Sequence, residues 1–76
     1  MNVSIEYCNM WNYLPQASSL EVELKSKFEH VNIELISSGG GVFEIILDNN
    51  LIFSKKALER FPEEGEVEKL IRENLN

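Results

Sequence analysis

Apolar and polar positions alternate at the start of the chain: Val3, Ile5 and Tyr7 are interleaved with Asn2, Ser4 and Glu6, the period-two pattern of a strand with one buried face. This first strand is expected to end at Cys8. The period then changes. Ala17, Leu20, Leu24 and Phe28 recur at spacings of three and four, which stacks them on one stripe of a helix, with Glu21/Lys25 and Glu23/Lys27 placed to pair on the outer side. Pro15 is tolerated only in a first helical turn, so the helix is expected to begin around Asn12 to Leu14. From Val31 alternation returns (Val31, Ile33, Leu35), and this second strand runs out in Ser37-Ser38-Gly39-Gly40-Gly41. Val42 to Leu47 and Leu51 to Phe53 read as an antiparallel hairpin, with Asn49-Asn50 supplying the positive φ angles of its turn. The segment from Lys55-Lys56 to Pro62 is irregular by pattern. From about Glu63, residues Val67, Leu70, Ile71 and Leu75 return to helical spacing.

The order is therefore β-α-β-β-β-α. A right-handed crossover through the first helix makes the first two strands parallel, and the hairpin adds two antiparallel strands. The fold class expected is α+β: a four-stranded mixed sheet with two helices packed on it, forming one domain over residues 1–76. The pattern contains no internal repeat and no linker.

Charge narrows the function classes. Seven Lys+Arg against thirteen Asp+Glu give a net charge of −6, the opposite of the footprint that phosphate backbones and anionic lipids attract. Nucleic acid and membrane partners are disfavoured. Neither a signal peptide nor an apolar run of roughly 18 residues is evident, so a cytoplasmic location is the expectation.

Candidate chemistry is sparse. Cys8 is the only cysteine, which excludes an internal disulfide and fits a reducing compartment. His30 is the only histidine and has no second soft ligand beside it, so no metal site is expected. Gly39-Gly40-Gly41 lies between two strands and lacks the Lys-Ser/Thr of a phosphate loop, which leaves a turn. Glu63, Glu64, Glu66 and Glu68 suit the positive end of the last helix and need no further role.

Five blocks recur in the order of a known family: Tyr7-Cys8 closing a strand; Ala17, Leu20, Leu24 and Phe28; Gly41-Val42-Phe43-Glu44-Ile45; Phe53-Ser54-Lys55-Lys56; and Arg60-Phe61-Pro62-Glu63. Over essentially the whole chain the sequence resembles the Rdx family, which includes selenoprotein W. The resemblance implies a thioredoxin-like fold and thiol or selenol redox chemistry at Cys-x-x-Cys or Cys-x-x-selenocysteine. This chain departs from that motif. Cys8 matches its first position, but Cys8-Asn9-Met10-Trp11 places an indole at the second. Glu59 stands where relatives commonly have Gly, Gln16 where many have Arg, and Pro15 is a further difference. A codon that some genetic codes read as tryptophan and others as selenocysteine would make residue 11 selenocysteine in the native gene; an ordinary TGG excludes it.

Two functional readings follow. A helix N-terminus favours the thiolate form of a nearby cysteine, whereas acidic neighbours such as Glu6 oppose it. Without a resolving partner, Cys8 is restricted to a monothiol route, forming a mixed disulfide with glutathione or a protein thiol that a second molecule resolves. The plain alternative makes Cys8 a small apolar residue at a strand end. In the second reading the chain is a non-catalytic interaction module. Asn9, Met10, Trp11 and Tyr13 then form its contact surface, and Lys56, Arg60 and Phe61, with Lys55, give a local dock for an acidic partner or for glutathione carboxylates. The alternatives here are an aromatic cluster that caps the core and a solvated basic loop.

Overall fold

The computed structural model describes residues 1–75 and follows the order β1 (Asn2–Cys8), α1 (Leu14–Lys27), β2 (Asn32–Ser38), β3 (Phe43–Leu47), β4 (Asn50–Ser54), α2 (Lys55–Leu58) and α3 (Glu66–Asn74). The four strands form one sheet in the order β2-β1-β3-β4. β1 pairs in parallel with β2, from Asn2 opposite Asn32 to Cys8 opposite Ser38. It pairs antiparallel with β3, which pairs antiparallel with β4. The crossover through α1 is what allows the two opening strands to run the same way.

Alternation along β1 decides which face is buried. Val3, Ile5 and Tyr7 share one face with Phe43, Ile45 and Leu47 of β3 and Phe53 of β4, and this face packs against Ala17, Leu20, Leu24 and Phe28 and against Val67 and Ile71. Both long helices therefore lie on the same side of the sheet. The other side, with Ser4, Glu6, Glu34, Ile36, Glu44 and Ile46, carries neither α1 nor α3, and these six residues are half-buried or exposed. This two-layer arrangement is the expected α+β class, and the architecture is thioredoxin-like.

Several local details differ from the pattern. Asp48 (φ 45°) and Asn49 (φ 73°), not Asn49 and Asn50, form the hairpin turn. Two successive positive φ values match the right-handed twist of the strands, and Asn50 already pairs with Leu47. A bulge beside Ile45 and Ile46 shifts the β3–β4 register. The segment after β4 is not irregular throughout, because Ser54 caps a single helical turn, accepting a hydrogen bond from the Ala57 N–H at 3.1 Å. Glu21 and Lys25 pair at 3.1 Å. Among the described residues the second expected pair, Glu23 with Lys27, does not form. The last helix begins three residues later than expected, at Glu66, and Leu75 lies just beyond its end, exposed.

Candidate functional site

β1 delivers Cys8 to the end of the sheet, and the chain then turns into α1. The turn is held by the backbone: Asn12 N–H donates to the Asn9 carbonyl at 3.0 Å, and Tyr13 N–H donates to the Cys8 carbonyl at 3.0 Å. Cys8 N–H in turn donates to the Val42 carbonyl at 2.9 Å, and Asn9 N–H to the Ser38 carbonyl at 2.9 Å. The thiol thus sits where the β1–α1 turn meets the Ser38–Val42 loop. Its residue is tied to the start of α1 through the backbone, since Tyr13, which precedes Leu14, is the donor to the Cys8 carbonyl.

The sulfur is not open to solvent, as a nucleophile in the family motif would require. Cys8 is 0% exposed. Strand alternation turns it away from Tyr7, out of the main core and toward the face opposite α1 and α3, yet it is buried at the point where the two loops bond to the end of β1. Sequence periodicity places a residue on a face and carries no information on loops from distant positions, so the enclosure was not legible in it.

The neighbours of Cys8 in the turn have the opposite exposure. Met10 is 87% exposed and Trp11 63%, and Asn9 is exposed as well. Trp11 therefore does not cap the core. Its indole lies across Gly41, where an added Cβ would come within 2.6 Å of the ring, and the φ of +71° at Gly41 independently favours a residue without one. The family block Gly41-Val42-Phe43 thus brings a bare stretch of backbone under the aromatic ring.

An aromatic series runs from this loop into the core. Trp11 meets Tyr13 edge-on at 6.2 Å, Tyr13 meets Phe61 at 4.7 Å, and Phe61 meets Phe43 at 5.2 Å. The Lys55 ammonium lies 5.3 Å from both the Tyr13 and Phe61 rings. The corner that positions Phe61 is built by Arg60. Its guanidinium grips the Glu66 carboxylate through two bonds of 2.7 and 2.8 Å and also donates to the Phe61 carbonyl at 3.1 Å. Glu66 accepts a further bond from the Glu63 N–H at 2.9 Å. The bonds from Arg60 and from that backbone N–H hold the Glu66 carboxyl well below its ordinary value of 4.5, at about 2, and the same pairing raises the Arg60 guanidinium.

The candidate basic dock is accordingly divided. Arg60 is committed to Glu66, Lys55 covers two aromatic rings, and Lys56 is exposed without an ion pair among the described residues. Glu44, which strand periodicity marks only as an outward-facing residue, braces the start of α2 with its carboxylate, accepting from Ser54 Oγ at 2.6 Å and from the Lys55 N–H at 2.9 Å. Among the described residues, no group of three His, Cys, Asp or Glu side chains is placed to hold a metal ion, and no helix is long and apolar enough to cross a membrane.

Comparison with known proteins gives a consistent picture. The sequence profile that matches is that of the Rdx family, over residues 2–73. Curated relatives described as migration and invasion enhancer 1 from mouse and from cattle are each 29% identical over all 76 residues, and the chain spans 66% of their length. The fold superposes on the crystal structure of a selenoprotein W-related protein from Vibrio cholerae with a TM-score of 0.92 and 27% identity, covering 99% of this chain and 96% of that one. A crystal structure of a Bordetella parapertussis protein is similar to the same degree, with a TM-score of 0.92 and 25% identity over 96% of this chain and 95% of the other.

Proposed function

The chain belongs to the Rdx family, a redox-linked group of thioredoxin-like proteins, and from that premise we propose that its β1–α1 turn is a recognition loop while its thiol is held in reserve. The β1–α1 turn docks a partner protein through Met10 and Trp11, with Tyr13 supporting the indole from behind. The observation that carries this reading is the contrast within one turn: Met10 and Trp11 stand 87% and 63% exposed, while Cys8 is enclosed. Trp and Met are enriched at protein contact surfaces because they contribute large, adaptable apolar area. A 76-residue domain with few apolar residues to spare gains nothing for its own stability by leaving both in solvent.

A second reading, the monothiol route through Cys8, has its own support. The first turn of α1 carries no acidic residue and no side-chain cap, so the partial positive charge of its N-terminus is not neutralised locally, and the Cys8 carbonyl accepts from Tyr13, the residue before that turn. Once the turn opens, the Cys8 thiolate attacks a partner disulfide, forming Cys8–S–S–R and releasing the other sulfur as a thiolate. A second thiol, glutathione or a protein cysteine, then attacks that mixed disulfide, carries R away as a new disulfide and returns the Cys8 thiolate. Trp11 has no sulfur for the intramolecular alternative.

Immobilised wild-type chain, Trp11→Ala and Cys8→Ser, exposed to the same cell extract, separate the two readings. Docking predicts a captured protein that persists with Cys8→Ser, resists dithiothreitol and is lost with Trp11→Ala. A captured protein that dithiothreitol releases, that Cys8→Ser loses and that Trp11→Ala keeps overturns docking in favour of the monothiol route.

A further inference from the structure

Resting on the docking reading, we propose that the partner's chain continues from the β1–α1 turn into a groove between α1 and the Phe61–Glu64 segment. The segment it presents there carries an apolar side chain flanked by lysine or arginine. The groove encloses about 530 Å³. Its apolar wall consists of Leu20, Phe43, Phe61 and Pro62, which form the bottom of a cleft that opens to solvent.

The rim has one sign of charge. Glu23 on α1 and Glu63 and Glu64 opposite it line the cleft with no basic side chain among the lining residues. Among the described residues, none of these three carboxylates is taken up in an ion pair. Arg60 and Lys55, beside Phe61, are committed to Glu66 and to the Tyr13 and Phe61 rings, and Lys27, one turn beyond Glu23 on α1, forms no ion pair with it. Three glutamates around an apolar floor favour a segment that offers a hydrophobic anchor between positive charges, and repel an acidic one.

Val22 adds an independent indication. It lies on the lip of the groove, 69% exposed, on the side of α1 that does not pack on the sheet, where the fold has no use for a β-branched apolar residue. It carries the apolar surface from the floor out to the lip. The groove also continues the docking loop, because Phe61 forms its wall and meets Tyr13 at 4.7 Å, which in turn meets Trp11. One extended partner segment can therefore occupy both.

The test uses the full chain, labelled for amide NMR, and three short fluorescein-labelled peptides: Gly-Arg-Lys-Leu-Lys-Arg-Gly, the same peptide with alanine for leucine, and an acidic counterpart with glutamate for every basic residue. The leucine peptide is expected to bind at about millimolar affinity or better, shifting the amide signals of Ser19, Val22 and Phe61. The alanine peptide is expected to bind more weakly and the acidic one not at all. The double variant Glu23→Lys/Glu64→Lys, at two surface positions, should weaken binding by about tenfold or more. Equal binding of leucine and alanine peptides, equal binding by the double variant, shifts centred away from the groove, or no binding at a few millimolar each overturn the proposal. The Glu23→Lys/Glu64→Lys chain keeps Met10, Trp11 and Tyr13 unaltered. Failure of docking at the loop therefore registers in the capture experiment, and failure of the groove registers here.

Discussion

At the scale of single residues, the family blocks in the sequence turn out to be structural instructions as much as chemical ones. Ser54 is a helix cap and a donor to Glu44, so Ser54→Ala should cost about 1 kcal/mol, measured as a shift in the urea midpoint at unchanged slope. Glu59 ends α2 in the left-handed region, at φ 59° and ψ 33°. A side chain there costs about 1 kcal/mol relative to glycine, part of which glycine returns through the greater entropy of its unfolded chain. Glu59→Gly should therefore stabilise the protein by about 0.5 kcal/mol, and an unchanged or lower midpoint would show that Glu59 makes compensating contacts. The family resemblance implies glycine at this position, and the backbone angle supplies a physical reason for one.

At the scale of elements, the strands and the two long helices were legible because each buries one face, and period two or 3.6 records that face directly. The hairpin turn was displaced by one residue because Asp, like Asn, tolerates positive φ, so composition alone does not decide between Asp48-Asn49 and Asn49-Asn50. The Arg60–Glu66 pair was not legible. Its members stand six apart across a bend, a spacing that no helix or strand rule brings together. This pair gives the corner its pH dependence. Glu66 titrates at about 2 in the folded chain against 4.5 ordinarily, so its contribution is fully present above pH 4.5 and is lost as pH falls toward 2. Glu66→Gln should therefore lower stability near neutral pH, and the gap from the wild type should close on acidification through that window. A gap that stays constant from pH 6 to pH 2 would mean that the pair contributes through packing and not through charge.

At the scale of the molecule, one sheet face carries both helices and all of the large core, and the opposite face is left with glutamates and a few half-exposed aliphatics. So small a domain has little stability in reserve. Ile45 is fully buried at the centre of β3, and Ile45→Ala should cost about 2–5 kcal/mol, a large share of ordinary marginal stability, read as a lowered midpoint of thermal unfolding. The same architecture explains what sequence could and could not say about the site. The position of Cys8 at a strand end followed from alternation, but its enclosure follows from two loops some thirty residues apart in the chain, Asn9–Asn12 and Gly39–Val42, meeting over the sheet end.

The central claim is that the thiol is sheltered in the folded protein while Met10 and Trp11 face outward. The most direct test is the rate at which iodoacetamide modifies Cys8, followed by mass, in the native chain and in 6 M guanidinium chloride. Shelter predicts a native rate at least about a hundredfold slower, since reaction then waits for local opening of the β1–α1 turn. Equal rates in the two conditions would contradict it.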